Sequence, residues 1–241
     1  MKACLFLIFA SLIFSPAVWA QKRFSKSYPA NKNVRLQLTN LTGTITVIGW
    51  QRDEIRVEAR MESSAAKVVP ESSGDSLTIN IVRDNHGRGD VGSINFEVRV
   101  PFNSAVDIET KMGNLTVQNV AGSMIRAKIS LEGDISLSNI RANTVMAESS
   151  IGNIFFNGEL QSGGTYSFKL TRGDINVHIP FTSSFRLAAT ASEPKNFALG
   201  PLANSGLNFQ SGGRKVTGSV GDGRANMSIS NKRGTIAFIL R

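Results

Sequence analysis

The side chains that could perform chemistry are few in this sequence and lie far apart. The chain has two histidines, His86 and His178, and one cysteine, Cys4. Nucleophilic catalysis needs a base beside the nucleophile, and a zinc site needs clustered nitrogen or sulfur ligands. Neither histidine lies in a Ser, His and acid pattern or near a second ligand. We therefore expect no catalytic residue, no metal site and no cofactor.

Carboxylates are the remaining catalytic candidates, because enzymes that cleave glycosidic bonds work with pairs of Asp or Glu. Asp134 and Asp174 each follow a glycine, and Asn114 and Asn153 stand at the equivalent places. Asp and Asn exchange there since both bond to local backbone and tolerate left-handed geometry, which favours a turn role. Glu132 has no partner in the pattern. The sequence favours a protein that is not an enzyme, and a polysaccharide lyase or hydrolase is the alternative.

The candidates for binding are loop residues and basic residues. Arg88-Gly-Asp90 matches a cell-attachment tripeptide in a loop, although the same letters at Arg172-Gly-Asp174 have an evident turn role. Basic residues crowd both ends of the sequence, where they fit either ligand binding or the charged capping of end coils. The C-terminal binding candidates are Arg214, Lys215, Arg224, Lys232 and Arg233.

The scaffold that must position these residues is indicated by a segment that repeats four times between Val106 and Val177. Each copy alternates apolar and polar residues into a glycine, continues with Asn or Asp, and ends in a second short alternation. The four turn pairs are Gly113-Asn114, Gly133-Asp134, Gly152-Asn153 and Gly173-Asp174. A period of about twenty residues with two strands indicates a solenoid of stacked coils. We predict an all-β, single-domain, right-handed parallel β-helix-like solenoid.

Aligning the copies gives columns of residues that would stack at roughly the 4.8 Å spacing of neighbouring strands. One outward column alternates in charge and reads Glu109, Lys128, Glu148 and Lys169. We interpret this column as structural, since such pairs help to fix register. The matching inward column is apolar and reads Ile108, Ala127, Ala147, Phe168 and Leu187. Asn119 and Asn139 stand at equivalent places after their glycines, which predicts a ladder of side-chain amides.

The pattern is less regular on both sides of the repeat. Longer alternations at 77–81 and 94–100 are joined by a loop at 83–93 that is rich in Gly and Asp. This arrangement predicts an antiparallel β-hairpin near the N-terminal end. The segment 192–223 is irregular, and its leucines and phenylalanines indicate that part of it lies over the solenoid.

Residues 1–20 predict a signal peptide, with Lys2, an apolar run from Leu5 to Phe14, and small residues near Ala20. Residues 21–33 then form a flexible polar lead-in, and 34–241 form the solenoid domain. Export predicts a periplasmic, cell-surface or secreted protein with no transmembrane segment in the mature chain. Loss of Lys2 lowers the formal charge from +9 to +8. A basic protein in that compartment favours anionic envelope polymers, lipid headgroups or a protein partner over nucleic acid.

A family resemblance lies in the run from Val98 to Val117, where a strand ending in Val-Pro leads through a short turn into Gly-Asn-Leu-Thr-Val. This run resembles the DUF4097 family, also called toastrack or adhesin-like domains. Val177-His-Ile-Pro180 is similar to the second Pro step of that family. The resemblance covers roughly Val34 to Leu240. It implies an exported β-solenoid that is generally not an enzyme, and it supplies no catalytic residues.

The sequence as a whole predicts a non-enzymatic, exported binding or scaffold module of the cell envelope. Its expected partner is an anionic envelope component or another protein, because the basic residues that crowd the two ends of the sequence lie outside the repeat that builds the core.

Overall fold

Two long β-sheets enclose one apolar core in the computed structural model, which describes residues 22–241. The predicted signal peptide lies outside the described residues. The strands are β1 (Lys22–Pro29), β2 (Arg35–Thr39), β3 (Ile45–Trp50), β4 (Glu54–Met61), β5 (Glu71–Ser73), β6 (Ser76–Asn80), β7 (Ile94–Pro101), β8 (Ala105–Met112), β9 (Leu115–Gln118), β10 (Met124–Glu132), β11 (Ile135–Ile140), β12 (Thr144–Ile151), β13 (Ile154–Gly158), β14 (Thr165–Arg172), β15 (Ile175–Ile179), β16 (Phe185–Ala191), β17 (Phe197–Ala198), β18 (Asn208–Gln210), β19 (Lys215–Val220), β20 (Ala225–Asn231) and β21 (Ile236–Leu240).

Helical structure is limited to short turns in this part of the chain. One α-helical turn, α1, spans Ile81–Asp84, and 3-10 turns span Pro194–Asn196 and Gly200–Asn204. Within residues 22–241, no helix has the length and apolar character needed to cross a bilayer.

The chain passes back and forth between the two sheets. Sheet I has ten strands in the order β1-β4-β7-β3-β9-β11-β13-β15-β21-β17, and sheet II has eleven in the order β18-β19-β16-β20-β14-β12-β10-β8-β2-β6-β5. Central neighbours are parallel, and the antiparallel pairs lie toward the ends of the sheets. The predicted all-β solenoid is confirmed.

The alternation of apolar and polar residues fills the space between the sheets. The register of sheet II aligns Ile108, Ala127, Ala147 and Phe168, and all four are buried. The ring of Phe168 lies 5.2 Å from the ring of Phe156 on sheet I. Burial of an aromatic side chain of this size contributes roughly 1.5–3 kcal/mol, so the stacking of the coils stabilises the fold.

The order of the coils along the chain differs from their order in space at both ends. The coil β2–β3 lies between β6–β7 and β8–β9, and the coil β20–β21 lies between β14–β15 and β16–β17. The predicted inward column is therefore wrong at its last place. Ile229 of β20 is the neighbour of Phe168, and Leu187 of β16 is the neighbour of Met227. Strands β16 and β20 share one alternating pattern, so the sequence does not show which of them lies beside β14 in the sheet.

The predicted hairpin between 77–81 and 94–100 is wrong. Strand β6 lies in sheet II beside β2, whereas β7 lies in sheet I between β3 and β4. Asn80 caps α1, because its side-chain oxygen accepts the backbone N–H of Arg83 at 3.0 Å. The loop that follows α1 crosses to the other sheet. The antiparallel hairpin near this end of the chain consists of β5 and β6 and turns at Gly74-Asp75.

The N-terminal end of the core is covered by β1, which corrects the prediction of a flexible lead-in. This strand pairs with β4 from Lys22 to Pro29 and forms the edge of sheet I. Its few apolar residues, Phe24 and Tyr28, gave no strand signal in the sequence. Lysines and a proline on an edge strand oppose pairing with other chains, which supports the capping interpretation of these charges.

The C-terminal end of the core is covered by the segment 192–223. Leu199, Leu202 and Leu207 of this segment are buried. Strand β17 pairs with β21 at the edge of sheet I, and β18 and β19 extend sheet II beyond β16. This irregular segment therefore caps the C-terminal end of the stack of coils.

Candidate functional site

A column of glycines marks the edge at which strands of sheet II turn into strands of sheet I. Gly152 shows why no other residue fits: its φ is 132°, and an added Cβ would lie 2.1 Å from the carbonyl oxygen of Gly133. The column contains Gly43, Gly113, Gly133, Gly152, Gly173 and Gly234. We call this column, with the strand ends that precede it, the glycine edge.

The residue after each glycine joins neighbouring coils through its side chain. The backbone N–H groups of Asp134, Asn153 and Asp174 donate to the side-chain oxygens of Asn114, Asp134 and Asn153, at 2.9, 2.6 and 3.0 Å. Asp174 in turn accepts the N–H of Thr235 at 2.7 Å. The sequence predicted bonds to local backbone, whereas the structure shows bonds to the next coil. These carboxylates and amides are therefore structural.

A second ladder lies at the opposite end of the sheet I strands. Asn119 and Asn139 have positive φ angles of 57° and 53°. The amide nitrogen of Asn139 donates to the side-chain oxygen of Asn119 at 2.9 Å. The predicted amide ladder is confirmed for this pair.

Three exposed apolar side chains stand on neighbouring strands of the glycine edge. Met112, Leu131 and Ile151 are 43%, 53% and 39% exposed. A bulge in β10 between Ile129 and Glu132 adds one residue to the segment that contains Leu131. Glu132 takes the place in the row between Met112 and Ile151. Clustered exposed apolar side chains of this kind commonly mark a contact surface.

Basic residues continue the same edge toward the C-terminal cap. Backbone hydrogen bonds of 2.9 Å join Gly173 to Arg233 and Ala191 to Arg214, so the ends of β14, β20, β16 and β19 lie side by side. In residues 22–241, no member of this basic group forms an ion pair with a carboxylate. The basic group consists of Arg172, Arg214, Lys215, Lys232 and Arg233.

The opposite edge of the solenoid carries a cleft of about 390 Å³. Three turns meet there: the turn after β13, the turn after β15 and the turn before β20. Arg224, which the sequence grouped with the C-terminal basic residues, lies here and not on the glycine edge. The lining residues are Glu159, Leu160, Ser162, Pro180, Thr182, Ser183, Ser184 and Arg224.

Hydrogen bonds fix the turn before β20 against its neighbours. The hydroxyl of Ser184 donates to the carboxylate of Asp222, and the side chain of Arg224 donates to the same carboxylate. The hydrogen bond from the Ser184 hydroxyl has the largest effect on the pKa of Asp222, and the contact with Arg224 acts in the same direction. Together they hold this pKa below its ordinary value of 3.8. On the other side of the cleft, Arg141 donates to Glu159 at 3.1 Å.

The family model for Toastrack DUF4097 matches this chain over residues 33–159 and 87–237. The chain belongs to the DUF4097 family. This finding confirms the resemblance in the run from Val98 to Val117. A comparison with curated proteins finds no match to this sequence.

Solved structures with a similar backbone are distant in sequence from this DUF4097 chain. A candidate cell adhesion protein from Clostridium sporogenes ATCC 15579 is 11% identical, with a TM-score of 0.48, over 91% of this chain and 98% of that chain. A candidate adhesin from Bacteroides fragilis NCTC 9343 is 13% identical, with a TM-score of 0.33, over 91% and 98%. A candidate lipid-binding protein from Parabacteroides distasonis ATCC 8503 is 10% identical, with a TM-score of 0.35, over 90% and 96%.

The Arg88-Gly-Asp90 tripeptide of this DUF4097 chain lies in the exposed loop after α1. The side chain of Asp90 accepts the N–H of Gly92 at 2.9 Å, which closes a local turn. The loop lies at the end of the solenoid opposite the basic group. The structure therefore does not bring Arg88 and Asp90 together with the C-terminal candidates.

The two histidines of the DUF4097 chain are far apart in the fold. His86 is exposed in the loop after α1, and His178 lies on the outer face of sheet I with its ring 4.8 Å from that of Phe155. In the part of the chain that the structure describes, no three His, Cys, Asp or Glu side chains form a group that could hold a metal ion.

The charge column lies on the outer face of sheet II. The register aligns its four members on neighbouring strands, in the order Glu109, Lys128, Glu148 and Lys169. Lys128 lies 3.7 Å from Glu109. Arg126 forms shorter contacts, at 2.6 Å to Asp107 and 3.2 Å to Glu109. These hydrogen bonds raise the pKa of Arg126, and the bond to Asp107 has the largest effect. Arg126 thus joins β8 and β10 more closely than Lys128 does.

One pair of carboxylates was not evident in the sequence. Glu58 and Glu97 stand opposite one another on β4 and β7, on the outer face of sheet I. Each has its own cation, because Arg56 lies 2.8 Å from Glu58 and Arg99 lies 2.8 Å from Glu97. These ion pairs explain how two like charges share neighbouring positions. Only the antiparallel pairing of β4 with β7, which the sequence did not predict, could have identified them.

Proposed function

We propose that this chain is a non-enzymatic, exported, adhesin-like binding module of the cell envelope, and that its glycine edge docks on an anionic lipid surface. The observation that carries the proposal is the combination, along one edge, of exposed apolar side chains with a basic group that forms no ion pair within residues 22–241. Met112, Leu131 and Ile151 can enter the headgroup region, and the basic group can contact phosphates.

The positive charge of the basic group supports docking with the glycine edge toward the membrane. A basic residue near an anionic membrane contributes about 1 kcal/mol of attraction, which decays within a Debye length of roughly 10 Å. Arg172, Lys232 and Arg233 lie at the ends of the neighbouring strands β14 and β20. Arg214 and Lys215 lie at the start of β19, beyond the intervening strand β16. Neighbouring strands are spaced about 4.8 Å apart, so the five residues can act on one surface together. Glu132, Asp134 and Asp174 lie nearby and oppose this attraction. Asp134 and Asp174 are engaged in hydrogen bonds with the next coil.

Sedimentation with lipid vesicles tests the proposal. The protein should bind vesicles that contain phosphatidylglycerol, bind phosphatidylcholine vesicles weakly, and dissociate as ionic strength rises. The double variant Lys232→Glu and Arg233→Glu should weaken binding at least tenfold. Leu131→Ser should weaken it by a factor of two to five, because a single apolar side chain contributes less.

A matched control distinguishes docking through the glycine edge from a general effect of the net charge on vesicle binding. The double variant Lys26→Glu and Lys32→Glu makes the same change in charge near the N-terminal end of the solenoid and should retain most of the binding. An equal loss in both double variants would show a nonspecific charge effect and contradict the proposal. Binding that is indifferent to salt would do the same.

A further inference from the structure

The cleft at the edge opposite the glycine edge exists because of the unexpected position of the last coil. Strand β20 inserts between β14 and β16. The turn before it is held on both sides, since Gly163 donates its N–H to the carbonyl of Arg224 at 2.9 Å and Ala225 donates to the carbonyl of Ser184 at 3.1 Å. Three turns that are distant in the sequence thereby form one concave surface.

The lining of the cleft is rich in groups that both donate and accept hydrogen bonds. Ser162, Thr182 and Ser183 supply hydroxyls, and Glu159 and Arg224 supply a carboxylate and a guanidinium. Both charged groups are already neutralised, Glu159 by Arg141 and Arg224 by Asp222. Apolar surface comes from Leu160 and Pro180. Small-ligand sites combine a few oriented polar groups with apolar surface in this way.

Charge decides which class of ligand the cleft would accept. Because the charges of Glu159 and Arg224 are both compensated, the cleft offers no excess charge that would attract a phosphate, a carboxylate or an ammonium ligand. A neutral ligand with many hydroxyls can donate to Glu159, accept from Arg224 and bond to the serines and threonine together. Phe181, which follows Pro180 in the chain, is 74% exposed and can offer an aromatic face at the rim.

We propose that this cleft binds a neutral sugar residue of a glycan chain. The site is separate from the glycine edge, and its function does not depend on membrane docking. The cleft is open, so an internal residue of an extended glycan can enter it as well as a chain end.

Amide chemical shifts in a nitrogen-labelled sample of the full chain test the proposal directly. The probes are three neutral oligosaccharides, chitotetraose, cellotetraose and mannotetraose, with tetragalacturonate and inorganic phosphate as charged controls. At least one neutral probe should shift the amides of Gly163, Thr182 and Arg224 with saturation in the millimolar range or below. The charged probes should leave these amides unchanged.

Variants connect those shifts with the cleft. Arg224→Ala should weaken binding at least tenfold, and Thr182→Val, which removes an exposed hydroxyl and keeps the side-chain size, should weaken it about threefold. Lys232→Ala on the glycine edge should bind as the natural chain does. The proposal is overturned if no neutral probe shifts these amides, if tetragalacturonate shifts them equally, or if Arg224→Ala and Thr182→Val bind normally. Vesicle binding should be unchanged in Arg224→Ala and Thr182→Val, so the proposal for the cleft and the proposal for the glycine edge are tested independently.

Discussion

The two long edges of the solenoid are built from the same coils but present different surfaces. Along the glycine edge, each coil repeats one turn, and the side chains before it form a flat row in which apolar residues, interrupted by Glu132, are followed by basic residues. Along the opposite edge, turns of different length and sequence surround a cleft that contains hydroxyls and compensated charges. The first edge suits an extended surface, and the second suits a small neutral group.

The difference shows what repetition does to a solenoid surface. A repeated turn places equivalent atoms about 4.8 Å apart along the stack, so the edge has no depth. The cleft forms where repetition fails, because β20 enters the stack out of chain order and brings Arg224 beside the turn after β15. Depth at this edge is thus a product of chain topology.

The largest expected effect tests whether the glycine edge is as rigid as its close contacts indicate. Gly152→Ala would place a Cβ 2.1 Å from the carbonyl oxygen of Gly133, at a φ of 132°. We expect it to lower the free energy of unfolding by about 3 kcal/mol or more. Gly163→Ala is the control at the cleft edge, where φ is 75° and nothing lies within 4 Å of the added Cβ. It should cost about 1 kcal/mol. Urea denaturation measures both, and equal losses would remove the distinction between the edges.

A smaller effect sharpens the role of the turn ladder. Asp134→Ala removes the acceptor of the Asn153 N–H at 2.6 Å and should cost about 1 kcal/mol. Asp134→Asn keeps an oxygen in place and should stay within about 0.5 kcal/mol of the natural chain. Thermal unfolding of the two variants distinguishes a ladder of oxygens from a requirement for charge. If Asn is as harmful as Ala, the carboxylate itself matters and a purely structural role is contradicted.

The smallest effect concerns the turn that forms one side of the cleft. The Ser184 hydroxyl and Arg224 stabilise the ionised form of Asp222 and lower its pKa. A lowered folded-state pKa means that this contact stabilises the fold above the ordinary value of 3.8 and is lost as pH falls through the lowered pKa. Ser184→Ala should move the pKa of Asp222 upward, toward that ordinary value. Titration of the carboxyl carbon by NMR measures this, and an unchanged pKa would show that the turn is not held as described.

Much of the core architecture could be predicted because it is local and repeated. The alternation from Val106 to Val177 specified strands, turns and the register of four coils. The ends were predicted less well for physical reasons. Strand β1 has few apolar residues, so its pairing with β4 gave no periodic signal, and the capped turn α1 interrupts what resembled a hairpin.

The sequence by itself determined the solenoid, the glycine turns and the alternating charges, because a side chain that faces the core or a tight turn must satisfy constraints within its own coil. Only the tertiary structure decided which coil stacks on which, since strands with the same alternation are interchangeable as neighbours. That choice separates Arg224 from Lys232 and Arg233, and it forms the cleft. It also gathers Arg172, Arg214 and Lys215 beside them on the glycine edge.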